Sequence, residues 1–130
     1  MKVGYQQLIA AAEQEIETLS AADAIALLAD PDVQLIDLRD IRELQREGKV
    51  PNAFHAPRGM LEFWVDPESP YHKDIFSSGK RLIFYCQSGW RSALATQAVQ
   101  RMGLPRVAHV GGGFTAWKAA DGPVEAVDRS

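Results

Sequence analysis

Leu82-Ile83-Phe84-Tyr85 is an unbroken apolar and aromatic run that stops at Cys86 and gives way to Gln87-Ser88-Gly89. A short apolar run without alternation is what a strand buried on both faces requires, so the chain is constrained to sandwich a sheet between two layers. A helix follows almost at once. It starts near Arg91, Leu94, Ala98 and Met102 recur at every fourth position, Ala95 and Val99 widen the stripe, and Gly103 and Pro105 supply the stop. Cys86, the only cysteine of the chain, therefore lies between a strand's end and a helix's start. Unpaired backbone N–H groups and the positive end of the helix dipole favour an anionic sulfur there. Thiols so placed have pKa values of roughly 3.5–7.5, against about 8.5 for a free cysteine. Arg91 adds a positive charge. A structural cysteine would call for apolar neighbours. Glycine, serine and arginine make an anion cradle instead, because glycine lets successive N–H groups turn inward.

The rest of the chain repeats the strand-then-helix pattern. Tyr5, Leu8, Ile9, Ala12 and Ile16 share one face of an amphipathic helix, which either packs on the domain or forms a dimer contact. Residues 16 to 19 read as a short strand. Ser20 and Asp23 open a helix carrying Ile25, Leu28 and Ala29 that runs to Asp30-Pro31. Val33 to Asp37 reads as a buried strand, and Asp40 and Glu43 start a helix that Gly48 closes. Ala53 to Ala56 is a weak strand. Gly59 to Val65 can form one or two helical turns, Val107 to Val110 is the last strand, and Phe114 to Ala120 the last helix. Strands alternating with helices imply right-handed crossovers and an α/β fold, a mostly parallel central sheet with helices on both faces. The polar segment from Asp121 onward is expected to fray.

Four segments, in order, carry a resemblance. Cys86-Gln87-Ser88-Gly89-Trp90-Arg91-Ser92 resembles the active-site loop of single-domain rhodanese-like sulfurtransferases, Cys-x-x-Gly-x-Arg followed by Ser or Thr. Val33 to Arg39 resembles the family's early strand with its Asp-x-Arg ending. Gly48 to Pro57 resembles Gly-x-Ile-Pro-Gly-Ala-x-His-x-Pro, with Asn52 where glycine is common; asparagine also tolerates left-handed backbone. Val110 to Trp117 is similar to Gly-Gly-Phe-x-Ala-Trp. The resemblance implies a rhodanese-like domain over residues 16–125, preceded by a helical extension over 1–15 and followed by a polar tail over 126–130. The insertion from Gly59 to Ser78 is longer than a minimal domain needs and is expected to shape the site entrance.

The resemblance further implies a catalytic Cys86 and Arg91, with Gln87, Ser88, Gly89, Trp90, Arg91 and Ser92 binding substrate. The Cys86 thiolate would take sulfane sulfur from thiosulfate or a persulfide donor and give it to a small thiol, a protein thiol or cyanide. Trp90 is expected to cover the pocket. His55 is expected to support a turn, and no histidine lies near Cys86 in sequence to act as a base. Asp37 and Arg39 are expected to point to opposite faces of a strand end and to act in support, as an ion pair that fixes a loop. Arg58 reads as a solvated side chain, Trp117 as core, and Gly111-Gly112-Gly113 as a tight turn, since it lacks the downstream pattern of phosphate loops. Phosphatases of the same fold are the rival, but their loop is Cys-x5-Arg and this one is Cys-x4-Arg. A non-catalytic binding or sensing module is the other alternative.

Composition narrows the classes. At 130 residues the chain suits one domain, and a net charge of −3 leaves no electrostatic footprint for nucleic acid. No stretch approaches the roughly 20 apolar residues of a membrane span, and no signal-peptide core follows Met1, so a cytoplasmic location is expected. His55, His72 and His109 lack metal-site spacing, so neither a metal nor another cofactor is expected. With a single cysteine there is no internal resolving thiol, so sulfur on Cys86 must leave to an external acceptor. Oligomeric state and the natural donor and acceptor are left open.

Overall fold

The computed structural model describes residues 1–128. Helix α1 (Tyr5–Glu15) leads into strand β1 (Glu17–Leu19), followed by α2 (Ala21–Ala26), β2 (Val33–Asp37), α3 (Ile41–Glu47) and β3 (Phe54–His55). Then come α4 (Leu61–Val65), β4 (Arg81–Tyr85), α5 (Trp90–Arg101), β5 (Val107–Val110) and α6 (Gly113–Ala119). The five strands form one parallel sheet in the order β1-β5-β4-β2-β3.

Strand alternation divides the core in two. Leu82 and Phe84 of β4 face α4 and α5, where they join Ile36, Leu61, Val65, Ala95 and Val99. Ile83 and Tyr85 face the other way, toward α2 and α6, with Ala24, Val110, Phe114 and Trp117. The central strand is thus buried on both sides, as its unbroken apolar run requires. Two helices start at side-chain caps: Ser20 Oγ accepts from the Asp23 N–H for α2, and Asp40 with Glu43 makes a capping box for α3. Asn52 has φ 64°, the left-handed conformation expected of it.

Four expectations are corrected. Helix α2 ends at Ala26 and continues only as turns whose N–H groups reach back three residues, from Leu27 to Ala24, Leu28 to Ile25 and Asp30 to Leu27. Pro31 bars a helical conformation just before it, and the chain tightens ahead of that point. Residues 121–125 do not fray: the Trp117 indole N–H donates to the Pro123 carbonyl, and Lys49 and Glu125 exchange backbone hydrogen bonds. Of the polar tail, 129–130 lie outside the described residues. The part of the insertion from Val65 to Phe76 packs beside Met102–Pro105, at the end of α5 farthest from Cys86, so it closes the core there rather than the site entrance. Asp37 and Arg39 share one side of the chain, because positions two apart in extended backbone lie on the same face. The N-terminal helix packs on α5, with Ala12 fully buried.

Candidate active site

Strand β4 ends at Tyr85 and delivers Cys86 to the start of α5, where Gly89, at φ 97°, turns the chain into the helix. Only that turn brings the loop's N–H groups onto the sulfur. The Gly89 N–H donates to Sγ at 3.2 Å and the Ser92 N–H at 3.4 Å, while the Ser92 hydroxyl lies 3.6 Å away. Cys86 is 1% exposed. The first turn of α6 braces the loop from behind: the Phe114 N–H donates to the Cys86 carbonyl at 2.8 Å and the Thr115 N–H to the Gln87 carbonyl at 3.1 Å. Gly113, at φ 59°, makes this approach possible, since a Cβ there would stand 2.4 Å from the Cys86 carbonyl oxygen.

Beneath the loop lies a buried ion pair. Asp37 accepts from the Arg39 backbone N–H and Nε on one oxygen, and from Arg39 Nη2 (2.8 Å) and the Tyr85 hydroxyl (2.6 Å) on the other. Arg39 also donates to the Gly48 carbonyl and to Gln87 Oε1, and its guanidinium stacks 4.3 Å from the Phe114 ring centroid. Burial, reinforced by the Asp37 charge, pushes the Tyr85 phenol far above its ordinary range, so it stays a donor. Both members of the pair are fully buried with their polar atoms engaged, so Gln87 is anchored from below. His55 Nε2 lies 2.6 Å from the Arg39 carbonyl oxygen, the turn-supporting contact expected of it.

Arg91 leaves the first turn of α5 toward α3, where both its terminal nitrogens donate to Glu43 at 2.9 Å. Glu43 carries two jobs, because Oε2 also accepts from the Asp40 N–H as the helix cap. The guanidinium holds the Glu43 carboxyl below the usual range; Glu43 in turn, with a smaller share from the Cys86 sulfur, raises Arg91 against the effect of its burial. Asp40, Arg42, Glu43, Arg46 and Arg91 line an open charged recess at this edge. Trp90 does not cover the sulfur as expected: it is 54% exposed, and its ring turns outward against Tyr5 of α1, centroids 4.9 Å apart. Ser88 is exposed and Ser92 buried. Arg58 is paired with Glu62.

Sequence reasoning missed one histidine. His109 of β5 is buried among apolar residues, with Nδ1 2.9 Å from the Ser92 hydroxyl and Nε2 3.0 Å from the Thr18 hydroxyl. Burial lowers its pKa to about 4, so the imidazole is neutral at pH 7. The available signal was a polar residue inside the apolar run Val107 to Val110. Among the described residues, no group of His, Cys, Asp and Glu is placed to hold a metal, and no helix is long and apolar enough to cross a membrane.

Comparisons with known proteins place the fold. The rhodanese-like domain family model matches residues 20–120. A mouse protein named thiosulfate sulfurtransferase/rhodanese-like domain-containing protein 3 is 30% identical over 71% of this chain, which spans 62% of that protein's length. Human thiosulfate:glutathione sulfurtransferase is 29% identical over 77% of this chain and 91% of its own. A solved structure from Rhodopseudomonas palustris, a protein of unknown function described as a "possible tyrosine phosphatase", is 51% identical, with a TM-score of 0.93 over 96% of both chains. The sheet order, the loop that carries Cys86 and the match over most of the chain together show that it belongs to the rhodanese-like domain family.

Proposed function

We propose that the protein is a sulfurtransferase that moves sulfane sulfur from thiosulfate or a persulfide donor through Cys86 to a thiophilic acceptor. The observation that carries this reading is the convergence of the Gly89 and Ser92 N–H groups on Sγ in a Cys-x4-Arg loop. In the first half-reaction the Cys86 thiolate attacks the outer sulfur of thiosulfate. An S–S bond forms to Cys86, and the old S–S bond breaks with its electron pair going to the departing sulfite. In the second, an acceptor anion such as cyanide or a thiolate attacks the outer sulfur, and Cys86 leaves as the thiolate. The same N–H donors hold the anionic persulfide between the two steps. Arg91, at the rim, receives the anionic part of the donor in exchange for Glu43. Substrate contact by Gln87, Ser88 and Trp90 would run chiefly through their backbone in the loop, since the Gln87 side chain is held by Arg39 and Thr115 and the Trp90 ring by Tyr5.

The relatives support this reading, the human one being a sulfurtransferase named for thiosulfate and glutathione. The rival is a phosphatase of the same fold, the activity suggested for the Rhodopseudomonas protein. A loop one residue shorter than Cys-x5-Arg suits a single sulfur better than a tetrahedral phosphate. Parallel steady-state assays decide between them: thiosulfate with cyanide or glutathione, and an aryl phosphate. Turnover confined to the sulfur substrates and abolished by Cys86→Ser is expected. Aryl phosphate turnover comparable to sulfur transfer would reverse the assignment.

A further inference from the structure

Four side chains, one from the loop after β4 and one each from α5, β5 and β1, form one continuous line from the candidate nucleophile to the protein surface. Cys86 Sγ lies 3.6 Å from Ser92 Oγ, Ser92 Oγ 2.9 Å from His109 Nδ1, and His109 Nε2 3.0 Å from Thr18 Oγ1. The first three residues are buried, whereas Thr18 is exposed on the edge strand β1. A neutral imidazole has one N–H and one lone pair. Set between two hydroxyls, it allows two self-consistent arrangements of the whole line. In one, the thiol donates inward and each group passes a hydrogen toward Thr18. In the other, Thr18 donates to Nε2, Nδ1–H donates to Ser92, and the Ser92 hydroxyl is left to donate to the sulfur. The second is the arrangement an anionic sulfur selects, because a hydrogen bond to an ion is stronger than one to a neutral group.

We propose that Thr18, His109 and Ser92 form a directed hydrogen-bond chain that holds the Cys86 sulfur as an anion, with His109 as a positioning residue that acts through Ser92. The inference rests on the reading of Cys86 as the nucleophile. Its proton balance is closed. The thiol proton passes to Ser92 Oγ, the Ser92 proton to Nδ1, the Nε2 proton to Thr18 Oγ1, and the Thr18 proton to water, with nothing oxidised or reduced. His109 is neutral before and after, having exchanged one tautomer for the other. Its low basicity, from burial, suits this role, since a charged imidazolium would have both nitrogens as donors and no lone pair to accept from Thr18. The Gly89 and Ser92 N–H groups are fixed in direction by the backbone; the Ser92 hydroxyl is not, and His109 supplies the missing constraint.

The test uses iodoacetamide, which the sulfur attacks with loss of iodide and which needs no sulfur donor. At pH 7, His109→Phe keeps an aromatic ring of similar size but removes both nitrogens, and should slow alkylation about tenfold, the scale of one weakened hydrogen bond to an ion. His109→Asn restores an N–H near the position of Nδ1 and should bring the rate back to within about threefold of the wild type. Thr18→Val changes an exposed strand position that tolerates valine, and it keeps the test sharp if the phenylalanine variant does not fold; it should slow alkylation by about threefold. Imidazole 15N spectra of the wild type should show His109 protonated at Nδ1 with the anionic sulfur and shifted toward Nε2 once the sulfur is alkylated. Wild-type rates in both His109→Phe and Thr18→Val, or an unchanged tautomer on alkylation, would overturn the proposal. If the alkylation contrast holds while thiosulfate loads no sulfur, the chain stands and the sulfurtransferase reading falls.

Discussion

Replacing Asp37 with asparagine tests whether the buried ion pair holds the Cys86 loop in place. The carboxylate is fully buried and each oxygen accepts two hydrogen bonds: the Arg39 N–H and Nε on one, Arg39 Nη2 and the Tyr85 hydroxyl on the other. An asparagine amide must set its NH2 against one of these pairs of donors, and the Arg39 charge is left buried beside a neutral partner. Tyr85 cannot simply turn round, because its oxygen already accepts from the Val50 N–H at 3.1 Å. Breaking one side of such a pair costs about 3–5 kcal/mol. For a single domain of this length, 1 kcal/mol corresponds to roughly 3–5 °C in Tm, so the variant should melt about 10–20 °C lower. Tyr85→Phe sets a smaller scale: it strands one backbone N–H and should cost about 1–3 kcal/mol. Urea titration followed by circular dichroism gives both values on a two-state assumption that suits a chain this small. A loss below about 1 kcal/mol for Asp37→Asn would show that water or rearrangement satisfies Arg39, and the account of the loop's foundation would be wrong.

Glu43→Gln keeps the capping box of α3 but removes the charge that competes for Arg91. The KM for thiosulfate should fall, by about fivefold at most for a partly exposed pair; a rise would show that Glu43 positions Arg91 for substrate rather than occupying it. Gly113→Ala forces a Cβ to within 2.4 Å of the Cys86 carbonyl oxygen at a left-handed backbone position, and should cut sulfur transfer at least tenfold while shifting the loop's amide resonances. Unchanged kinetics would remove α6 from the site's construction. His109 binds a proton in the unfolded chain at about pH 6.5 but resists it in the fold down to about 4. The unfolded state therefore holds more protons in that window, and stability falls as pH drops through it, by up to about 3 kcal/mol. His109→Asn should flatten this segment of the stability–pH curve; an identical slope in the variant would show that carboxylates alone produce it.

The central strand was legible because burial on both faces demands an apolar run, which Leu82–Tyr85 carries undiluted; Val33–Asp37 carries it at Val33, Leu35 and Ile36, interrupted by Gln34. Helix starts were legible where Ser20 and Asp40 stand in capping positions. The cradle could be read from Gly89 and its neighbours because it is local. The contacts that complete it are not local. His109 reaches Ser92 only because β5 pairs beside β4 in a register that sets His109 against Phe84, and no spacing in the sequence encodes that register. Glu43 was readable as a helix cap, but its hold on Arg91 depends on where α3 comes to rest against α5. The Gly111-Gly112-Gly113 turn showed its flexibility in sequence, while its close approach to the Cys86 carbonyl follows from the packing of α6.

The central claim is that Cys86 carries sulfur as a persulfide between two external partners. Intact-mass measurement after exposure to thiosulfate, without acceptor, tests it most directly. The wild type should become one sulfur atom heavier, cyanide should return it to the original mass, and Cys86→Ser should gain nothing. A wild-type mass that stays unchanged with thiosulfate and with a small-molecule persulfide alike would contradict the account and leave a binding module as the better reading of the fold.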